Sequence, residues 1–382
     1  MMIKTIRNAR IITADSEFTG SAEIDGAVFG EVARGNSGLF GLAGEDWHGD
    51  YLLPGMVELH TDNLEKHLMP RPKVNWPILP AIVAHDTQIA ASGITTVLDA
   101  ISVGDLDADS LRTQTLIACI EGLKQAAAAD ILRADHFLHL RLELAEQKLL
   151  DWFEPYVHDD GLKLVSVMDH TPGQRQWTDI SHYRTYVTGK RGWSEQKVDG
   201  MLEGLLHRQQ TYAASNRRDV IELCNRRSRP IPLATHDDTT LEHVTEGVED
   251  GVSISEFPTT LLAARAAREH SLGIIMGAPN MVRGGSHSGN VSAAELARAG
   301  LLDVLSSDYV PASLLHAAFL LLDEGYDLPR AVATVTRNPA QMIGLTDRGE
   351  IAQGLRADYL RVRVVQRIPV VLGVWKAGVQ IA

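Results

Sequence analysis

One short segment constrains this chain more than any other. Residues 52–62 read L-L-P-G-M-V-E-L-H-T-D, an apolar run that ends in a histidine and a carboxylate. Alternate residues of a strand project to the same face, so His60 and Asp62 are predicted to project together from the carboxyl end of one strand. In a (β/α)8 barrel the active site is built at that end of the strands. The segment therefore predicts half of a metal site on a barrel strand.

Four later strand-like runs also end in residues that bind metals. The run 136–144 alternates leucines with polar residues and carries Glu143, and the runs 163–170, 231–236 and 303–308 each end in a histidine or an aspartate. A single histidine at a strand end is more often a hydrogen-bonded loop residue than a ligand. Five such ends together favour a binuclear zinc or manganese hydrolase. The predicted ligands are His60, Asp62, Glu143, His170, His236 and Asp308.

Two of these residues have ordinary alternatives. Glu143 could form a salt bridge with Arg141 or Lys148, and Asp308 could cap the helix predicted over 311–322. If Asp308 is catalytic, it is predicted to be the general base, because a carboxylate at the last strand end can take a proton from attacking water. Both alternatives stay open on the sequence alone.

The pattern of apolar residues predicts two structural units. Residues 3–50 and 349–382 alternate as strands and turns, whereas the region between them alternates strand-like runs with helical ones. The prediction is an α/β fold, a TIM-like (β/α)8 barrel over 53–348, with a small β domain built from 1–52 and 349–382. A polar, helix-prone stretch near 179–225 is predicted to be an insertion between two barrel strands.

Charge and cysteine content restrict the partners. The 382 residues carry a formal net charge of −13, which argues against nucleic acid or an acidic membrane as a partner. The chain has 2 cysteines, Cys119 and Cys224, and no apolar leader, so a cytoplasmic enzyme without a disulfide framework is expected. A monomer and a homodimer both stay open.

Longer motifs resemble a known superfamily. L-P-G-x-x-E-x-H-x-D at 53–62, S-S-D at 306–308, N-P-A at 338–340 and G-x-I-x-x-G-x-x-A-D at 349–358 are similar to the amidohydrolase superfamily. E-L-H-T-D-N-L-E-K at 58–66, P-R-P-K-V-N-W-P at 70–77, M-D-H-T-P-G-Q-R-Q at 168–176 and M-G-A-P-N-M-V-R-G-G-S-H-S-G-N at 276–290 resemble, within it, the PhnM family of triphosphate diphosphatases. The resemblance spans nearly the whole chain.

The resemblance implies a specific reaction. The expected activity is hydrolysis of α-D-ribose 1-methylphosphonate 5-triphosphate to the 5-phosphate and pyrophosphate, in the carbon–phosphorus lyase pathway of phosphonate catabolism. It also implies one or two divalent metal ions per chain, zinc foremost, with manganese or iron as alternatives. The superfamily usually has His-x-His on its first strand, whereas this chain has Asp62 in the second position. No lysine is placed to bridge two metals, so Glu143 is predicted to take that role.

A triphosphate substrate needs groups that bind its charge. The Gly- and Ser-rich loop after the strand predicted at 273–277 offers backbone N–H groups and an arginine for phosphate oxygens. Lys73 and Arg141 are further cationic candidates. The predicted substrate contacts are Arg71, Arg175, Arg283, Gly284, Gly285, Ser286 and His287. Two other functions stay open. The protein could be a cyclic-amide or amino-sugar amide hydrolase on the same scaffold, or a non-catalytic barrel that acts as a binding or assembly protein.

Overall fold

The fold is known from a computed structural model of the 382-residue chain. It describes residues 3–35, 44–71, 74–105, 111–175, 180–181, 184, 188, 195–285 and 289–382. Lys73, Ser286 and His287 lie outside the described residues. Among the described residues, no helix is long and apolar enough to cross a membrane.

The two ends of the chain share one sheet. Its strands are β1 Lys4–Ile12, β2 Glu17–Asp25, β3 Val28–Arg34, β4 Glu45–Asp46, β5 Tyr51–Pro54, β14 Tyr359–Val365, β15 Ile368–Lys376 and β16 Val379–Gln380. They lie in the order β16-β15-β14-β5-β1-β2-β3, with β4 beside β1. Most neighbours are antiparallel, and β4 and β5 run parallel to β1. An apolar cluster that includes Trp47 and Tyr359 supports this sheet.

The middle of the chain forms eight consecutive parallel strands. They are β6 Met56–Thr61, β7 Ile94–Val103, β8 Asp135–Glu143, β9 Leu162–Met168, β10 Leu233–His236, β11 Ile254–Glu256, β12 Gly273–Gly277 and β13 Val304–Ser306. Each pairs with the next along the chain. A bridge between Thr61 and Asp308 brings the last strand back to the first. This is the predicted TIM-like barrel.

A buried carboxylate helps to close the barrel. Glu58 on β6 accepts hydrogen bonds from Oγ of Ser306 at 2.8 Å and from the backbone N–H of Ser307 at 2.6 Å. The pairing of β6 with β7 shifts register between Glu58 and Thr61, which is a bulge. These contacts hold β6 against β13, and they fix the strand that carries His60.

Helices cover the outside of the barrel. They are α1 Leu64–Leu68, α2 Ile78–Ala91, α3 Leu111–Ala128, α4 Leu149–Phe153, α5 Glu195–Arg208, α6 Ala214–Asn225, α7 Leu241–Glu249, α8 Leu261–Glu269, α9 Ala278–Arg283, α10 Ala293–Arg298, α11 Ser313–Leu320, α12 Leu328–Ala333 and α13 Arg337–Met342. Glu154–Tyr156 and Leu321–Glu324 are 3-10 turns, and Gln209–Ala213 is a π turn. The capping box of α10, formed by Ser292 and Glu295, satisfies backbone N–H groups at its first turn and explains why the helix begins there.

Alternation along the strands separates an inner from an outer core. The leucines at 138, 140 and 142 on β8 pack outward in the cluster beneath the helices. Leu98, Leu164, Ala234, Ile254 and Val304 instead fill the lumen, where Phe137 packs against them. The polar residues predicted to face inward on β8 therefore point into the barrel.

One prediction about the first strand is wrong. Residues 52–62 form two strands in different sheets, β5 Tyr51–Pro54 and β6 Met56–Thr61, separated by Gly55. The side chains of Thr95 and Asp358 lie within 3 Å of where a Cβ on Gly55 would stand, so only glycine fits at this crossing. The domain boundaries stay a prediction, as does the insertion near 179–225, whose described part includes α5 and α6.

Candidate metal centre at the carboxyl end of the barrel

Two predicted residues meet across the lumen around a carboxylate that was not predicted. Nδ1 of His60 on β6 lies 2.7 Å from Oε1 of Glu256, and Nδ1 of His236 on β10 lies 2.8 Å from Oε2 of the same residue. Burial opposes ionisation of Glu256, but the imidazoles outweigh it and hold its pKa well below the usual range. The pair of contacts fixes which nitrogen of each ring faces the open end of the barrel.

A second group has the spacing of ligands around one ion. Oδ2 of Asp237 lies 3.7 Å from Nε2 of His236 and 3.9 Å from Nε2 of His170. These separations are too long for hydrogen bonds. Two ligands about 2.1 Å from a tetrahedral ion would stand about 3.4 Å apart, which is close to the observed distances. Two imidazoles and a carboxylate suit zinc, manganese or iron.

In His170 and His236, the ring nitrogen that does not face Asp237 is held by a glutamate. Nδ1 of His170 lies 2.7 Å from Oε2 of Glu143, and the backbone N–H of His170 donates to Oε1 of Glu143 at 3.2 Å. Metal-binding histidines are commonly oriented by a carboxylate on the nitrogen that does not bind the metal. Glu143 thus pairs with His170 and not with Arg141 or Lys148. The bridging role of Glu143 stays a prediction.

Asp308 lies at the same rim and does not cap a helix. The helix after it, α11, has Ala312 at its N-cap and no side-chain cap. Burial raises the pKa of Asp308 to about 7, and the charge of Asp62 adds to the rise. A carboxyl group that titrates near neutrality can exchange protons with water at physiological pH.

Asp62 stands apart from the histidines. Its Oδ2 lies 3.5 Å from Nη2 of Arg112, and Nε of Arg112 lies 2.7 Å from Oε1 of Glu65. Asp62 therefore belongs to an ion-paired cluster on the rim beside Asp308, and its role as a ligand stays a prediction. Among the described residues, it is in none of the groups spaced to hold a metal.

The backbone at three strand ends adopts left-handed conformations. Asp237, Phe257 and Asp308 have φ values of 57°, 54° and 52°, just beyond β10, β11 and β13. Such values are uncommon for residues other than glycine, and they concentrate at functional sites. The ring of Phe257 lies against His60 and His236, with centroid distances of 4.9 and 5.4 Å. An apolar ring thus packs against both histidines.

The predicted phosphate contacts lie in different surroundings. Arg175 is buried, and its Nη1 donates to the carbonyl of His236 and to Asp238, each at 2.9 Å. Arg71 and Arg283 are exposed. Arg283 ends α9, and Gly284 and Gly285 follow with φ values of 78° and 155°. The two remaining predicted contacts, Ser286 and His287, lie outside the described residues, and all seven contacts stay predictions.

Comparison with known proteins identifies the family. A model described as the amidohydrolase family matches residues 120–382. A protein of Escherichia coli (strain K12), the alpha-D-ribose 1-methylphosphonate 5-triphosphate diphosphatase, is 44% identical over 376 residues, 98% of this chain and 98% of that protein.

The chain belongs to the amidohydrolase family. It is accordingly a hydrolase. Solved structures with low identity share its fold: N-acetylglucosamine-6-phosphate deacetylase from Pasteurella multocida has a TM-score of 0.65 at 12% identity and 99% coverage of both chains. Dihydropyrimidinase from Brevibacillus agri has a TM-score of 0.61 at 13% identity, covering 99% of this chain and 95% of that one.

This amidohydrolase places two residues at its centre that sequence reasoning missed. Glu256 ends a strand of only 3 residues, too short for a clear alternating pattern. Asp237 follows His236 directly and lies just beyond the strand, where strand alternation no longer predicts the direction of a side chain. The rule that found the other residues, a polar group at the end of an apolar run, also applies to Glu256, since V-S-I-S-E reads in the same way.

Proposed function

We propose that this protein hydrolyses α-D-ribose 1-methylphosphonate 5-triphosphate to the 5-phosphate and pyrophosphate, as a metal-dependent step of phosphonate catabolism. The observation that carries the proposal is the relative of that name, which is 44% identical across 98% of both chains. This identity is far above the 12–13% of solved structures that share the fold.

The side chains at the rim suit a divalent cation. His170, His236 and Asp237 supply two nitrogens and an oxygen whose mutual distances are those of ligands around one ion. His60 offers a further imidazole beside them. When bound, the cation supplies Lewis acidity, which neutralises charge on phosphoryl oxygens and makes water a better nucleophile. Metal identity and number are part of the proposal, with zinc first and one or two ions per chain.

Residues of the chain orient the imidazoles and pack against them. Glu143 and Glu256 orient the imidazoles of His170, His60 and His236, so that ligand positions are set before substrate arrives. Phe257 covers two of these rings and limits the access of bulk water. A small anionic triphosphate is the partner that this site is proposed to accept.

Asp308 is proposed to take the proton of the attacking water. The water oxygen forms a bond to the phosphorus nearest the sugar, and the bond from that phosphorus to the bridging oxygen breaks. The electron pair leaves with pyrophosphate, and one proton of the water passes to Oδ of Asp308. A base whose pKa lies near 7 can receive this proton and release it again between turnovers.

Phosphorus NMR of the metal-loaded protein with the triphosphate tests the function. Water labelled with heavy oxygen should appear in the sugar 5-phosphate and not in pyrophosphate. Purified protein should carry about one to two zinc, manganese or iron equivalents, and chelation should abolish turnover until a divalent ion is returned. N-acetylglucosamine 6-phosphate and dihydrouracil serve as control substrates. Turnover of either in place of the triphosphate would assign the barrel to amide hydrolysis.

A further inference from the structure

Among the described residues, one buried arginine in the barrel lumen has two nitrogens without a partner. Arg141 lies on β8 and is 6% exposed, yet its Nε and Nη1 are buried without a hydrogen-bond acceptor among the described residues. The other described arginines of comparable burial have acceptors: Arg175 pairs with Asp238, Arg217 with Asp250, and Arg348 with Asp135. An unpaired buried cation is costly, so its retention calls for a ligand that compensates it.

Strand alternation places the guanidinium beside the candidate metal centre. Arg141 lies between His139 and Glu143 on β8, and all three share the face opposite the outward leucines. His139 is deeper, since its Nδ1 donates to the carbonyl of Leu59 at 2.9 Å, and Glu143 is at the rim, where it holds His170. Arg141 thus lies one inward-facing position below Glu143, the residue that holds His170 at the rim.

Electrostatic effects agree with this position. Burial lowers the pKa of His236 and raises that of Asp308, whereas the pKa of His170 is raised, against the effect of burial, mainly by the charge of Glu143. The charge of Arg141 acts to lower the pKa of all three groups. The guanidinium therefore acts on groups from three different strand ends. That is expected only of a charge near the axis of the barrel.

In the part of the chain that the structure describes, a second polar group without a partner lies beside Arg141 on the neighbouring strand. Ser102 on β7 pairs in register with Arg141, so both side chains project to the lumen. Ser102 is 4% exposed, and its Oγ has no hydrogen-bond partner among the described residues. A guanidinium fork next to a hydroxyl donor matches the non-bridging oxygens of a tetrahedral oxyanion.

We infer that Arg141, with Ser102 beside it, binds the non-bridging oxygens of the phosphoryl group that is attacked. The inference rests on the proposed function and specifies which phosphoryl the lumen holds. The phosphoryl group that is attacked must reach the rim histidines, and Arg141 lies one inward-facing position below Glu143, which holds His170 there. The distal phosphates of the substrate then extend outward, toward the mouth of the barrel.

The competing explanation is that Arg141 only offsets the negative charge of the rim carboxylates. A lysine keeps that charge but lacks the planar fork, so Arg141→Lys separates the two roles. If Arg141 binds the phosphoryl group, kcat/KM for the triphosphate falls about 10²-fold or more in Arg141→Lys, mainly through kcat. Metal content and thermal midpoint stay near those of the parent. Ser102→Ala lowers kcat/KM by about 10-fold in the same direction.

A matched control and a rescue experiment sharpen the result. Arg217→Lys alters an arginine of similar burial that pairs with Asp250 and Glu246 outside the lumen, so it should cost stability and leave kcat/KM unchanged. Guanidinium ion added at millimolar concentration should restore part of the activity lost in Arg141→Ala, whereas ammonium should not. Arg141→Lys with the kcat/KM of the parent, or with a loss fully explained by lower metal content, overturns the inference.

The inference and the proposed function fail in different ways. Binding of inorganic phosphate to the metal-loaded protein, measured by calorimetry, does not depend on turnover. Binding that is at least 10-fold weaker in Arg141→Lys than in the parent supports the anion site even if the triphosphate is not hydrolysed. Hydrolysis of the triphosphate together with equal phosphate binding in parent and Arg141→Lys would retain the function and reject the role of Arg141.

Discussion

Oε1 of Glu256 lies 2.7 Å from Nδ1 of His60, and this contact joins β11 to β6, two strands that are not neighbours in the barrel. The same carboxylate holds His236 through its other oxygen. One residue therefore sets the ring orientation of two histidines that come from different strands. Orientation of this kind raises the affinity of a site because the ligands do not have to be ordered when the ion binds.

Substituting this carboxylate should weaken metal binding. In Glu256→Gln, one oxygen becomes an amide nitrogen that cannot accept from an imidazole N–H, so one histidine loses its orientation. We expect metal affinity to fall about 10- to 100-fold, as measured by competition with a chelator. Glu249→Gln, an exposed glutamate on α7, is the control. Parent-like affinity in a folded Glu256→Gln protein would show that the ring orientation does not depend on Glu256.

Replacing the proposed base should lower turnover and stabilise the metal-free protein. Asp308→Asn cannot accept a proton, so kcat should fall about 10²-fold or more. Metal content should change less than in His236→Ala. Because the pKa of Asp308 is raised in the folded state to about 7, its contribution to stability is present below pH 4 and is lost as the pH rises through 7.

The second effect can be measured without substrate. At pH 8 the metal-free Asp308→Asn protein should have a higher thermal midpoint than the metal-free parent, and the two should converge near pH 4. A midpoint that is lower at pH 8 would mean that Asp308 is stabilised as an anion in the fold. Unchanged kcat would remove Asp308 from the mechanism.

A buried histidine outside the site should make stability depend on pH. Nδ1 of His136 lies 2.8 Å from Asp99, and its Nε2 lies 3.3 Å from Asp86. Burial lowers the pKa of His136, but the two carboxylates outweigh it and raise the pKa to about 9. The stabilisation is complete below about pH 6.5 and is lost as the pH rises through 9.

Urea denaturation from pH 6 to 9.5 checks this dependence. The parent should exceed His136→Gln by a few kcal/mol in free energy of unfolding at pH 6, since one pKa unit corresponds to about 1.4 kcal/mol. The difference should shrink toward pH 9.5. His158→Gln, an exposed histidine, is the control. A difference that is constant with pH would mean that His136 is neutral in the folded protein.

The arginine at the end of α9 should affect substrate binding more than chemistry. Arg283 is exposed and precedes two glycines with positive φ, a conformation that can direct N–H groups at an anion. Arg283→Ala should raise KM for the triphosphate about 10-fold with little change in kcat or metal content. Arg298→Ala, an exposed arginine paired with Glu324, is the matched substitution. Equal KM values in the two variants would make the loop an ordinary surface turn.

The residue pattern alone determined the fold and most of the rim. Alternation on β8 predicted that Arg141 and Glu143 face the lumen, and polar residues at the ends of apolar runs predicted His60, His170, His236 and Asp308. These inferences succeed because strand periodicity is a local property, and because the carboxyl ends of parallel strands meet on one side of a barrel. The family motifs added an expected reaction and an expected substrate class.

Only the tertiary structure decided which of these groups contact one another. His60 and Glu256 are 196 residues apart, and they meet because closure of β6 against β13 sets the width of the lumen. The tertiary structure also places Asp62 beside Arg112, and among the described residues it leaves Nε and Nη1 of Arg141 without an acceptor. Spacing along a strand fixes the direction of a side chain, whereas its partner depends on how distant strands are brought together. No local pattern carries that information.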